Sequence, residues 1–344
     1  MDKTYKYTVC TRCFTYNQAQ YIIDALNGFV IQQTSFPFVC TIVDDASTDG
    51  EQEIIGKYLL EHFDLQDTST AYEVDKEYGH VTFARHKTNQ NCFFAVLYLT
   101  ENHYSQRKSK FPYLVEWIDN CKYLALCEGD DYWTDSLKLQ KQVMFLDEHE
   151  DYSMCSCTAD WLTEKGLMAW GCRMRKEGDV TTDQLITWGG YSLATASIVY
   201  RKELSDVWPE WRITAVRAGV GDFPLKILGS FGKGIHFFPQ VMCVYRFGHP
   251  GSWTKSHNKL TFLKNKIEWM TLLDKDTNHK FQKAIYDQLF RHYSSLYNLR
   301  EISFWNYALA VQRSGGKRYR RLFNDFVRIK LSPVYRFLSH FYKK

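Results

Sequence analysis

The stretch KYLALCEGDDYWTDSLKLQKQ, Lys122 to Gln142, decides the fold. Tyr123, Leu124, Ala125 and Leu126 form a short apolar run of the kind that becomes a buried strand in an α/β sheet. It stops at Glu128-Gly129-Asp130-Asp131, where three carboxylates within four residues repel one another unless a cation sits among them. Oxygen ligands at a strand end suit a hard divalent ion, Mg²⁺ or Mn²⁺, and that rim is where open α/β sheets bind ligands. Thr134 or Asp135 can cap the helix that follows. Its apolar positions Leu137, Leu139, Val143, Phe145 and Leu146 suit a face laid on the sheet.

Upstream, the pattern repeats. Thr8 to Phe14 is expected to be a first strand, left through the turn Thr15-Tyr16-Asn17, with a helix from about Ala19 to Gln33. Phe38 to Val43 makes a second buried strand ending in Asp44-Asp45-Ala46-Ser47-Thr48-Asp49-Gly50. Ser47 or Thr48 is placed to cap a helix over Glu51 to His62. This β-α-β-α order again puts acids at a strand's carboxyl end, where they can accept from nucleobase N–H groups or ribose hydroxyls. Alternatively, Asp44 and Asp45 serve only to shape a turn. A third strand near Val81 to Arg85 and a helix from about Cys92 to His103 are expected, then a basic loop from Tyr104 to Pro112.

Downstream, Tyr152 to Thr158 is expected as a strand, Glu164 to Asp179 as an irregular excursion, and Gly234–Phe238 and Val241–Arg246 as two short strands. From Thr254 the periodicity is helical, with a long helix near Phe281 to Gln312 broken at Ser314-Gly315-Gly316. The remainder, 317–344, carries nine basic residues against one acid. That net +8 leaves −4 for the rest of the chain. Aromatic residues interleave with those charges, a composition suited to an anionic membrane surface, with a helical cap on the protein's own core as the rival.

The 344 residues, 45% hydrophobic and 16% aromatic, are ample for a packed core, and a net charge of +4 does not mark the whole chain as a nucleic-acid binder. Ten scattered cysteines, several in strand-like runs, are expected as buried reduced thiols. MDKTYKYTV lacks the apolar segment of a secretory signal and no run is long enough to span a membrane. A cytoplasmic location, peripheral on the inner membrane face, is the expectation.

Taken in order, Thr8–Gln33 with Tyr16-Asn17, Val43-Asp44-Asp45-Ala46-Ser47-Thr48-Asp49, and Glu128-Gly129-Asp130-Asp131-Tyr132-Trp133 leading to Lys138–Gln142 resemble the family 2 glycosyltransferases. These are inverting enzymes of the GT-A fold, here of the bacterial polysaccharide and glycan-assembly type. The resemblance covers about residues 5–250. It implies a mostly parallel Rossmann-like sheet flanked by helices over 1–253, with a nucleotide half to about 135 and an acceptor half from 136. A helical extension over 254–316 and the basic tail would follow.

The resemblance further implies that Thr15, Tyr16, Asp44, Asp45 and Glu128 line the nucleotide pocket. Asp130, Asp131 and His249 would hold Mn²⁺ or Mg²⁺, and Arg246 would contact the diphosphate. Glu128 stands where the family's D-x-D motif has its first Asp. Asp222, in Gly219-Val220-Gly221-Asp222-Phe223-Pro224, is the implied general base; the same residue also reads as a plain helix cap. A UDP-sugar donor and a glycan or lipid-linked glycan acceptor are the implied substrates. A nucleotide-sugar-binding scaffold without turnover and a nucleotidyltransferase are the alternatives. Against the latter, the first turn, Thr15-Tyr16-Asn17-Gln18, has no Gly-rich phosphate loop.

Overall fold

In a computed structural model, residues 4–169, 174, 176–249, 258–313 and 319–330 are described. By its internal contacts the chain forms two compact units. The first holds 1–181, 191–207 and 228–256, and the second holds 182–190, 208–227 and 257–344.

The first unit carries the sheet. In chain order it runs β1 (Tyr7–Thr15), α1 (Ile22–Val30), β2 (Phe38–Asp44), α2 (Glu51–His62), β3 (Phe63–Asp64), β4 (Tyr72–Lys76), β5 (Gly79–His86) and β6 (Cys92–Leu99). After these come α3 (Val115–Ile118), β7 (Cys121–Leu126), β8 (Tyr132–Trp133), α4 (Lys138–Glu148), β9 (Met154–Thr163), β10 (Gly166–Met168), β11 (Gly178–Val180), β12 (Val199–Arg201) and β13 (Ile235–Arg246). The strand order is β11-β13-β9-β12-β7-β1-β2-β6-β5-β3. The centre, β7-β1-β2-β6, is parallel, and β5 and β12 flank it antiparallel. This is the expected α/β class. Every residue of β2 is buried, as covering a parallel sheet on both faces requires.

Glycine sets how closely α1 lies on this sheet. A Cβ at Gly28 would stand 2.7 Å from the Trp133 backbone nitrogen, so only hydrogen fits there. Phe29 meets the Trp133 indole edge-on at 5.0 Å, and Trp133 Nε1 donates to Ala196 O at 2.9 Å. That bond satisfies the one polar atom of a fully buried indole.

Several expectations are corrected. Cys92–Leu99 is a strand, not a helix: CFFAVLYL pairs in parallel with β2 and antiparallel with β5. A short apolar run cannot be sorted by periodicity, and its aromatic and β-branched content fits the pleat. The two short strands near Pro239 are one, β13, with register shifts between Phe238 and Val241 and between Val241 and Cys243. The 164–179 excursion contributes β10 and β11. Neither Ser47 nor Thr48 caps α2; its N-cap is Gly50 at φ 90°. The nine described cysteines are free and buried.

The second unit is helical among its described residues: α5 (Thr182–Trp188), α6 (Glu210–Arg217), α7 (Asp222–Gly229, which begins in it), α8 (Lys259–Asp276), α9 (Gln282–Asn298), α10 (Phe304–Arg313) and α11 (Tyr319–Lys330). The expected long helix over 281–312 is therefore two, interrupted where Arg300 takes φ 63°. Phe290, Tyr297, Tyr307, Val311 and Leu322 form a core shared by α9, α10 and α11. Asp325 is tied into it by Tyr307 (2.7 Å) and Ser294 (3.2 Å), so the start of the basic tail belongs to its own unit's core. The rest, 331–344, lies outside the described residues. No described helix is long and apolar enough to cross a membrane.

Candidate functional site

The parallel register brings the carboxyl ends of β1, β2 and β7 level, with Thr15 opposite Asp44 and Arg12 opposite Leu126. The loops leaving β1, β2 and β7 therefore share one rim of the sheet, where the two acidic segments come together.

The β1 and β2 loops are bonded side by side. Asn17 N donates to Ser47 Oγ (2.9 Å), Thr48 N to Asn17 Oδ1 (2.7 Å) and Ala19 N to Asp49 Oδ2 (2.9 Å). Ala46 is held at φ 62°, a left-handed conformation that costs a residue with a Cβ about 1–2 kcal/mol. Beneath these loops lies Glu51, fully buried, which accepts from the Thr15 hydroxyl, from Gln18 N at 2.8 Å and from Ser47 Oγ at 2.9 Å. Burial pushes the Glu51 carboxyl above its ordinary value, against the pull of those donors.

The paired aspartates differ. Asp45 is fully used: Oδ1 accepts from His103 N (2.8 Å), and Oδ2 from Tyr104 N (3.0 Å) and Lys110 Nζ (2.7 Å). It thereby pins the basic loop to the rim. Asp44 Oδ1 accepts from Ser47 N (3.0 Å) and Gln52 Nε2 (2.5 Å), while its buried Oδ2 has no hydrogen-bond partner. Thr15 is buried against Glu51, whereas Tyr16 is 45% exposed at the loop tip.

On the third loop, Glu128 Oε2 accepts from Phe14 N at 3.0 Å and Oε1 lies 3.7 Å from Arg12. Burial raises the Glu128 carboxyl while Arg12 pulls it down. A Cβ on Gly129 would collide with Thr15 and Gln18, so glycine is what lets this loop lie against the β1 loop. Asp131 is buried and its Oδ1 accepts from Arg246 N at 3.0 Å; burial, then the Asp130 charge, pushes its carboxyl well up. Asp130 Oδ2 lies 2.7 Å from His249 Nε2, and the imidazole stands edge-on to Tyr21 at 5.0 Å. Arg246 pairs with Asp24 and spreads over the Tyr21 ring at 4.7 Å.

Most of the acidity at this rim is thus answered by the protein itself. Lys110 offsets Asp45, Arg12 offsets Glu128, and hydroxyl and amide donors surround Glu51. Among the described residues of the rim, Asp44 keeps a buried Oδ2 without a hydrogen-bond partner, and Asp130 is paired with His249. No three His, Cys, Asp or Glu side chains converge as a full metal-ligand set among the described residues. A carboxylate with an imidazole nevertheless fits Mn²⁺ or Mg²⁺, which commonly takes one or two protein ligands beside substrate phosphates and water.

Asp222 belongs to the second unit, at the start of α7. Its Oδ2 accepts from Lys226 Nζ at 2.7 Å, and that ammonium, fully buried, also donates to Gly190 O at 2.9 Å. The Asp222 side chain itself is 37% exposed.

No family model matches the sequence. The uncharacterized proteins Rv1520 of Mycobacterium tuberculosis (strain H37Rv) and Mb1547 of Mycobacterium bovis are each 29% identical to it over 306 residues, spanning 84% of this chain and 73% of theirs. Among solved structures, S. aureus TarS 1-349 in complex with UDP-GlcNAc matches with a TM-score of 0.56 at 15% identity, over 93% of this chain and 81% of that one. The complex of the same protein with UDP gives 0.54 at 17% identity, over 93% and 80%. The chain shares the TarS fold.

Sequence reasoning missed Glu51, Arg12, Lys110 and Asp24. Glu51 looked like any acid in a first helical turn, and only the register of β1 on β2 brings it under Thr15. Arg12 carried a signal that could have been used, since a basic residue inside an apolar strand needs a carboxylate partner, whereas Lys110 sits in a basic loop and carried none.

Proposed function

We propose that this protein is a metal-dependent, inverting glycosyltransferase of family 2. It would move a sugar from a nucleotide-sugar, most simply a UDP-sugar, to an acceptor hydroxyl in cell-surface glycan assembly. The observation that carries the reading is the 2.7 Å Asp130–His249 pair on the carboxyl rim of a parallel sheet. The fold shared with TarS, whose structures hold UDP-GlcNAc and UDP, supports the choice of donor.

In this reading Asp44 Oδ2 receives an N–H of the base or a ribose hydroxyl, ending its isolation, and Tyr16 covers the nucleotide from the loop tip. Glu128 fixes the β1 loop through Phe14 N and faces the ribose. A divalent ion held by Asp130 and His249 would supply charge compensation for the departing diphosphate. Arg246, fixed by Asp24, stands beside that pair as a diphosphate contact. Asp222 takes the acceptor's proton as its oxygen attacks the anomeric carbon opposite the leaving group, and Lys226 fixes the carboxylate's direction.

Incubation with a panel of UDP- and GDP-sugars, with and without Mn²⁺, tests the reading. The expected result is metal-dependent release of the nucleoside diphosphate, lost in Asp130→Ala. Tight donor binding without release, or pyrophosphate exchange, would overturn it in favour of a scaffold or a nucleotidyltransferase.

A further inference from the structure

At the end of the sheet opposite the acidic rim, one imidazole holds a loop. His86 closes β5 and is 9% exposed, with its ring edge-on to Phe63 at 5.1 Å and stacked on His62 at 6.2 Å. Its Nδ1 accepts from the backbone N–H of Asn89 at 2.9 Å and of Thr88 at 3.2 Å, and the Thr88 hydroxyl lies 3.3 Å away. Backbone amides only donate, so Nδ1 carries no proton and the ring is neutral with its hydrogen on Nε2. The loop held in this way secures its neighbours. Asn89 Nδ2 donates to Val30 O at 3.0 Å and Gln32 O at 2.8 Å, where α1 ends, and Asn91 Nδ2 donates to Thr34 O at 2.6 Å. Gln32, fully buried, carries the connection on to the start of α4: its Nε2 donates to Asp135 O at 2.9 Å and its Oε1 accepts from Leu139 N at 3.1 Å.

A proton on Nδ1 would turn this acceptor into a donor facing two donors, and both backbone bonds would be lost. The surroundings give that proton no support. His62 on α2 and Lys87 on the loop both oppose a further positive charge, while Asp64 and Arg85 occupy the next register pair between β3 and β5, where Arg85 lies 3.3 Å from Asp67. We propose that His86 is an acid-sensitive latch, which on protonation releases the 87–91 loop from the end of α1. The latch stands whatever reaction the acidic rim performs. Burial, then His62 and Lys87, hold the imidazole below its ordinary value of 6.5 while the loop is closed. An opened loop takes up the proton first, so the closed form loses ground to the open one as pH falls below 6.5.

The test is hydrogen–deuterium exchange of the full chain between about pH 8 and about pH 5, with rates corrected for the intrinsic pH dependence of amide exchange. Wild type should lose protection over 87–91 by roughly tenfold across that range, while the β2 segment 38–44 keeps its own. His86→Asn, whose Oδ1 can accept in place of Nδ1 but does not ionise, should hold the loop and abolish the pH dependence. Protection over 87–91 that does not change with pH would overturn the latch. So would a parallel loss over 38–44, which marks a loosening of the whole sheet, or a pH response that survives in folded His86→Asn. Should His86→Asn fail to fold, the comparison of the two segments in wild type decides alone.

Discussion

Asp45 Oδ2 accepts from Lys110 Nζ at 2.7 Å, and this pair separates the roles of two adjacent carboxylates. Asp45 is spent on the fold, while its neighbour Asp44 keeps one buried oxygen unpartnered. Asp45→Asn should therefore destabilise the protein by about 3–5 kcal/mol, because it leaves Lys110 desolvated and uncompensated. Asp44→Asn should cost less stability yet weaken UDP binding. Urea denaturation and UDP titration of both variants would read this out; an Asp45→Asn protein of unchanged stability would contradict it.

Glu51 provides the pH test. Burial raises its folded pKa above 4.5, so the folded state keeps the proton to higher pH than the unfolded chain does. Its contribution to stability is complete below 4.5 and is lost as pH rises through the raised folded value. Glu51→Gln keeps an acceptor oxygen for the Thr15 hydroxyl but cannot ionise. Relative to wild type, it should gain stability as pH rises from 4.5 towards neutrality, measured as urea midpoints across that range. A difference that shrinks with rising pH would show that the surrounding donors outweigh desolvation.

Asp222→Asn addresses the proposed base. The amide can still start α7, yet it cannot take a proton, so turnover should fall by at least roughly a hundredfold with donor binding kept. Near wild-type transfer would reduce Asp222 to a helix cap held by Lys226.

How much of this could be read from the sequence depended on whether a signal was local. The alternation of apolar runs with acidic strand ends gave the α/β class, and Glu128-Gly129-Asp130-Asp131 marked the rim directly. Cys92–Leu99 was misread because eight apolar residues fit either period, and only its place between β2 and β5 decides. The division of labour between Asp44 and Asp45 was hidden for another reason. It is set by His103, Tyr104 and Lys110, nearly sixty residues or more away in sequence, which the β6–β7 connection brings back to the rim. The pairing of Asp130 with His249, 119 residues apart, is likewise a product of β13 running beside β9 and pairing with β8.

We propose that exposed apolar and basic side chains of the helical unit meet an anionic membrane surface. Trp305 and Leu309, one turn apart on α10, are 75% and 51% exposed, and Phe323 on α11 is 65% exposed. Arg313, Arg320 and Arg321 are exposed on the same two helices, and each basic residue near an anionic surface contributes about 1 kcal/mol. Ending the chain before α11 would be a poor test, since Leu322 and Asp325 belong to the core of this unit. The double substitution Trp305→Ser and Phe323→Ser leaves that core intact. It should lower co-sedimentation of the full chain with vesicles containing phosphatidylserine, and wild-type binding should weaken with salt because exposed charges are screened. Binding that ignores salt and lipid charge, or is unchanged by the double substitution, would remove the membrane from the account of these side chains.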